Sequence, residues 1–431
     1  MNLEKFFQLK ENNTNIRTEV IAGITTFLTM AYILSVNPEI LSVAGMDRGA
    51  VFTATALSAV IATLVMALFA KLPFALAPGM GLNAFFAYSV CLTMGHSWQF
   101  ALTAVFIEGI IFILLTAFNI REMIVNAIPK NIKHSISVGI GLFIAFIGLK
   151  NAGVVVANDA TFVTIGNIAD NHAAWVALIS VVIGGTLLAL RVRGALLIAI
   201  FAGTLIGIPF GVTHLPNSFD LTPPSLSPLI NHFEWTDIFT TDMAVVVFTF
   251  LFVDMFDTIG TLIGVCSKAN MLDEEGRVPN VKKALFADAV GTTVGALLGT
   301  STVTTFVESA AGVGEGGRTG LTSLTTALMF FLALFLAPIF LMVPAAATAS
   351  ALILVGAMMM TPIKNLELDD YTELIPAFFT ILMMPLCYSI AEGIVFGMLS
   401  FVVLKLFSGQ HKQLTVLMYI LAALFLASLF V

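Results

Sequence analysis

The chain has 431 residues, 58% hydrophobic and only 10% charged, with a mean hydropathy of +1.01. A soluble domain carries roughly 25% charged residues, so a chain this long and this poor in charge cannot clothe itself in water and must turn its outer face to lipid. The formal net charge of −7 decides less than the placement of the cations.

Met1 to Thr18 is polar and mixed in charge, unlike the basic and then apolar start of a cleaved signal peptide. Crossing a bilayer takes about 20 mostly apolar residues. Such runs are predicted at 20–41, 51–70, 100–118, 134–149, 174–190, 195–212, 243–265, 284–299, 321–343, 345–360, 373–390 and 391–407. Two further stretches, 73–94 and 300–313, are apolar but interrupted by Pro, Gly or Thr runs. Together they make fourteen segments up to Phe407, and 414–431 adds a terminal apolar stretch that either spans or lies along the interface.

Lysine and arginine set the orientation. With the N-terminus inside, nearly all cations fall inside, among them Lys71, Arg121, Arg193, Arg277 and Lys364; only Arg48 and Lys150 fall outside. Gly194 to Ser267 holds no Lys or Arg and contains the longest predicted outside loop, Thr213–Asp242. The three cysteines, Cys91, Cys266 and Cys387, are far apart and odd in number, which argues against a disulfide framework or a metal site.

The two halves resemble each other. Pro129 precedes Gly141 by twelve residues, as Pro344 precedes Gly356, and Ala54–Phe69 can be laid on Ala284–Gly299 without gaps. Each half contributes seven segments, an odd number, so the second must enter the membrane from the opposite side. That is an inverted repeat, a common plan of secondary transporters. The repeats are read as 1–212 and 243–407.

The interrupted segments carry the chemistry, because irregular backbone at membrane depth survives only where it is buried in protein or lines a wet cavity. The first reads Ala77-Pro78-Gly79-Met80-Gly81-Leu82-Asn83, then apolar Ala84–Val90. Its Pro and two Gly argue against helix. The second reads Thr300 to Glu308, then Ser309-Ala310-Ala311-Gly312, and its Thr/Val run favours an extended stretch. Each ends in a polar side chain, Asn83 or Glu308, expected to open a half-helix whose free N–H groups point at a substrate. Pro78 and the glycines alone would equally suit packing kinks. A carboxylate at depth is different, because it is costly without a task or a partner.

Asp254 and Asp257 are three apart on segment 243–265 and share a helix face. Nearby carboxylates in a low-dielectric site can hold and release a proton, so Asp257, Glu308 and Asp254 are the candidates for proton coupling. Glu108, Asp288 and Glu392 are expected to be polar contacts between helices. The histidines show no i, i+4 pair, and Gly312–Gly317 matches GxGxxG without a strand–helix unit around it, so no dinucleotide site is read there.

Thr18–Tyr32, Ala77–Phe86, Asp257–Leu262 and Thr304–Gly312 together resemble the AzgA-like branch of the nucleobase–cation symporter family, which also includes uracil and xanthine permeases. The resemblance covers nearly the whole chain, except that 414–431 has no place in a fourteen-helix plan. It implies an all-α polytopic membrane protein of the uracil-permease-like fold, with a core domain from 20–118 and 243–343 and a gate domain from 134–212 and 345–407. It implies binding of a purine base between the interrupted segments and the eighth segment, with Asp257, Glu308 and Asn83 in the binding roles. It implies import of adenine, guanine or hypoxanthine with a proton by an elevator-like movement, no cofactor beyond that coupling ion, and a cytoplasmic membrane location. A homodimer through the gate domain is favoured.

The residue chemistry agrees. Carboxylates accept hydrogen bonds, protonated acids donate and amides do both, so these three could ring a planar base, with Gly81 and Ser309 beside them and Phe306 available to stack. Three rival readings stay in view. An anion transporter of the same fold should avoid an acid at Glu308, an intramembrane enzyme would need a nucleophile with a base or a metal cluster, and a passive channel leaves the paired acids unexplained. Nucleic acid has no place in any of them.

Overall fold

The computed structural model describes residues 3–118, 129–216, 219–268, 271 and 278–428. Arg121 and Arg277, counted among the inside cations, lie outside the described residues, as do the last three residues of the terminal stretch. Nearly all of the described regular structure is helical. Eight described helical runs are 18 residues or longer and apolar enough to cross a membrane.

A short α1 (Leu3–Phe6) precedes α2 (Ile16–Met30), which is capped by the Asn15 side chain on the Thr18 N–H. The predicted run 20–41 is not one regular helix. The register slips at Ala31–Tyr32, and α3 (Ile33–Ser42) follows. The slip lies just ahead of Pro38, whose ring crowds the preceding turn and removes one donor. Asp47 caps α4 (Arg48–Val65), which passes through a π-helical turn to Ala70.

The first interrupted segment is strand β1 (Leu76–Pro78) followed by α5 (Met80–Ala84), which continues as π-helix over Phe85–Thr93. Helix therefore begins at Met80, four residues before the expected start at Ala84, and Gly81 and Asn83 are helical. Pro78 and the extended Gly79 (φ −76°, ψ 131°) end the strand. Nothing after Gly79 opposes helix except Gly81, which the packing holds. Then come α6 (Trp98–Ala117), α7 (Lys130–Asn151), a hairpin of β2 (Val155–Asn158) and β3 (Phe162–Ile165), α8 (His172–Ala189) and α9 (Ala195–Gly207).

The second half opens with α10 (Thr241–Lys268) and α11 (Val281–Leu298). The second interrupted segment is β4 (Val303–Thr305) and α12 (Ser309–Gly314), so the extended stretch is shorter than the Thr run suggested. After it come α13 (Gly320–Ala333), α14 (Ala337–Leu341), α15 (Ala345–Met359), α16 (Tyr371–Leu386), α17 (Ile390–Phe407) and α18 (Val416–Ser428). Met418, Leu421, Ala422 and Phe425 form the buried stripe of α18. That helix packs on α17 and touches α10 through Phe425 and Phe248, whose rings are 5.6 Å apart.

Two groups of helices pack within themselves. α2, α4, α6, α10, α11, α12 and α13 form one; α7, α8, α9, α15, α16 and α17 form the other. Contacts between halves are reciprocal. β1 and β4 pair antiparallel, Leu76 opposite Thr305, Ala77 opposite Thr304 and Pro78 opposite Val303. The outer edges of this ribbon are closed by threonines. Thr63 Oγ1 bonds both backbone groups of Leu76 (3.0 and 3.1 Å), and Thr292 Oγ1 bonds both of Val303 (3.3 and 3.0 Å). Four outward-facing backbone groups of the ribbon thus find side-chain partners, which irregular backbone at membrane depth requires.

These equivalent roles pair Thr63 with Thr292. The gapless overlay of 54–69 on 284–299 pairs it with Thr293, one residue and about 100° of helix rotation away. Pro129 and Pro344 sit at the helix starts of α7 and α15, as expected. Those helices cross where Gly141 meets Gly356: a Cβ on Gly141 would lie 2.6 Å from the Gly356 carbonyl oxygen, and one on Gly356 would collide with the Gly141 carbonyl.

Candidate functional site

The site lies where the β1–β4 ribbon meets α5, α10 and α12, with α10 in contact with both short helices. The pairing extends past both strands. Gly79 N–H donates to Thr302 O (3.0 Å), and Phe306 N–H donates to Ala75 O (3.0 Å). The Ala75 N–H donates to Ser309 Oγ (3.0 Å). Ser309 is therefore committed to holding the ribbon, a structural task its place in the motif did not disclose.

Glu308 is the N-cap residue of α12 and is partly exposed. Its Oε1 accepts a 2.6 Å bond from the Tyr32 hydroxyl. Asp257, on α10, is also partly exposed and lies within electrostatic range of Glu308 and Asp288. Asn83 is fully buried in α5, not at its start as expected but within it. Its Oδ1 accepts from the Ser301 hydroxyl, while its Nδ2 has no hydrogen-bond partner among the described residues. One end of this amide is thus tied to the second interrupted segment, and the other keeps its N–H groups to donate. Phe306 is nearly buried in the main apolar core. Gly81 is a close-approach position, since a Cβ there would come 2.8 Å from Ile140 on α7.

Behind these groups lies a second set of acids. The Thr258 hydroxyl is 2.8 Å from Asp288 Oδ1, 3.2 Å from Asp254 Oδ1 and 2.7 Å from Thr304 Oγ1. Glu108 Oε2 accepts from Thr302 Oγ1 at 2.7 Å. Asp288 and Glu108 thus join different elements, as expected. Glu392 instead lies in the first turn of α17, where its N–H is capped by Ser389. Asp254 and Asp257 are divided between the two sets, Asp254 behind and Asp257 in front.

Two residues that hold these elements together escaped the sequence reading. Tyr32 was visible only as part of an apolar motif, and no local signal pairs it with a residue 276 positions away. Glu19, fully buried on α2, was hidden by its place near the start of a run; it accepts five hydrogen bonds from the N-terminus of α13.

Apolar helices all round, irregular backbone sealed at their centre and acids converging on it define a multi-pass membrane transporter. Residues 17–428 match the model of the permease family, and the chain belongs to that family, the xanthine/uracil permeases, which are transporters and not enzymes. It is 45% identical to the adenine permease AdeP of Escherichia coli (strain K12), over 98% of this chain and 95% of that one. It is 42% identical to the guanine/hypoxanthine permease PbuG of Bacillus subtilis (strain 168), over 98% of each. Among solved structures it resembles the transmembrane domain of a cyanobacterium bicarbonate transporter, BicA, with a TM-score of 0.69, 18% identity, and coverage of 88% of this chain and 97% of that one.

Proposed function

We propose that this protein imports purine bases (adenine, guanine and/or hypoxanthine) across the cytoplasmic membrane, coupled to protons. The observation that carries the reading is the convergence of Glu308, Asp257 and the half-tied amide of Asn83 on one ribbon crossing. A purine offers ring N–H donors and ring N acceptors on a flat frame, which two carboxyls and an amide N–H complement. The printed names of AdeP and PbuG support the substrate class.

In this reading the chain crosses the membrane fourteen times as a seven-plus-seven inverted repeat with its N-terminus inside. The packing group around the ribbon acts as the core (20–118 and 243–343), and the other group acts as the gate (134–212 and 345–407). The reciprocal Gly141–Gly356 and β1–β4 contacts support the repeat.

Proton coupling is supported by the acids gathered behind the site: Asp254 and Asp288 share the Thr258 hydroxyl, and neighbouring carboxyls at depth can hold and release a proton. A proton taken from outside neutralises one acid, the base binds, and release inside reverses both steps.

Movement of core against gate would be controlled by the contacts joining them. At the end read as outer, Asn151 Nδ2 donates to the Tyr88 hydroxyl (2.9 Å), and Ser89 Oγ donates to Tyr388 O (3.0 Å). The Lys150 ammonium lies over both tyrosine rings, 5.7 and 5.0 Å from their centroids. At the inner end the exposed Arg193 pairs with Glu315. We read the outer set as a latch that must break for the site to face outward, with α18 bridging α17 and α10 as a further restraint.

The test is uptake of labelled hypoxanthine by proteoliposomes with and without an inward proton gradient, challenged by adenine, guanine, uracil and bicarbonate. Gradient-driven uptake blocked by purines supports the proposal. The fold likeness to BicA makes anion transport the second reading, and block by bicarbonate alone would select it.

A further inference from the structure

We infer that Tyr32 is a positioning residue of the purine site: its hydroxyl holds one oxygen of Glu308 so that the other is presented to the base. This rests on the purine reading above. Tyr32 lies at the slip between α2 and α3, where its carbonyl accepts from both Ser35 and Val36 N–H groups (3.0 Å each), so the ring is mounted on a defined turn. The side chain is 1% exposed, whereas Glu308 is partly exposed. The phenol is thus buried while the residue it holds keeps some access.

The bond is short, at 2.6 Å, as expected for O–H donating to an ionised oxygen. Thr29, three residues earlier on α2, places its hydroxyl 3.4 Å from the Glu308 carbonyl. The α2–α3 slip therefore meets Glu308 at both backbone and side chain. Asp257 is within electrostatic range of the same phenol. A carboxyl free to rotate at a half-helix start would offer either oxygen in several directions. Held by Tyr32 together with its own backbone N–H, the carboxyl has fewer directions in which to accept, which is what discrimination among purines by their ring N–H pattern needs. Replacing the hydroxyl by hydrogen keeps the ring and its packing and removes only the pin.

The experiment compares wild type, Tyr32→Phe and Glu308→Gln in detergent, measuring binding of labelled hypoxanthine and adenine together with infrared difference spectra. Tyr32→Phe should weaken binding about tenfold, the loss of one hydrogen bond to a charged group, with an unchanged melting temperature. The infrared band identified as Glu308 by its loss in Glu308→Gln should shift in Tyr32→Phe. A packing role would leave that band where it is. An unmoved band, or wild-type affinity in Tyr32→Phe, overturns the inference while leaving purine transport standing. Failure of the wild type to bind any purine removes the transport reading and this inference with it.

Discussion

Glu19 provides the sharpest test of how this fold is held together. Its Oε1 accepts from Arg318 N–H at 2.9 Å. Its Oε2 accepts from Thr319 N–H (3.3 Å) and Oγ1 (2.8 Å), and from Thr322 N–H (3.1 Å) and Oγ1 (2.6 Å). A helix start leaves its first N–H groups without partners, and here a carboxylate from α2 satisfies three backbone donors around the start of α13. Glu19→Ala orphans them at a site with no solvent exposure. Each buried unsatisfied donor costs about 1–3 kcal/mol, so the loss is roughly 3 kcal/mol at its smallest, a large part of the roughly 5–15 kcal/mol typical of whole domains. Glu19→Gln keeps the shape but sets an amide donor against one of the donors, so it should fall between wild type and alanine. The assay is thermal unfolding of the detergent-solubilised protein, with hydrogen exchange read over residues 320–333. Glu19→Ala should melt markedly lower and exchange faster there. Wild-type melting together with unchanged exchange in Glu19→Ala would refute the reasoning.

Four further outcomes follow. Asp257→Asn and Glu308→Gln should each cut purine uptake by about a hundredfold, at about 1.4 kcal/mol per tenfold, when charge-assisted bonds to the base are lost; normal transport by both would sink the site. Thr258→Val should abolish accumulation driven by a proton gradient while leaving purine exchange at equal pH, since it disconnects Asp254, Asp288 and Thr304. Gly141→Ala presses a methyl onto a backbone carbonyl that cannot rotate away, and it should cost about 1–3 kcal/mol of stability, read as a lower melting temperature. Removing the outer latch with Asn151→Ala and Ser89→Ala should speed labelling of a Val307→Cys variant by an impermeant thiol reagent added outside, in a background lacking Cys91, Cys266 and Cys387; an unchanged rate would remove the latch.

The sequence by itself determined that the protein lives in lipid, because charge content and apolar run length are local quantities that bilayer thickness reads directly. It also determined where the chain is interrupted, because Pro78 and the Thr run act on their own backbone. Hence 73–94 and 300–313 emerged as the candidate functional segments, with Asn83, Asp257 and Glu308 marked as candidates by the cost of a polar group at depth. The tertiary structure alone decided how those pieces are used. Helix resumes at Met80 because only packing against Ile140 tells whether Gly81 is a breaker or a close-approach residue. Ser309 holds the ribbon through Ala75 N–H, 234 positions away. Asp254 and Asp257, equivalent in spacing, part company because the Thr258 hydroxyl, which also bonds Asp288, takes Asp254. Glu19 and Tyr32 acquire their partners about 300 and 276 positions along the chain. Periodicity and composition act within one or two helical turns, whereas a hydrogen bond needs its two groups within about 3 Å, and that proximity is settled only when the two halves close on each other.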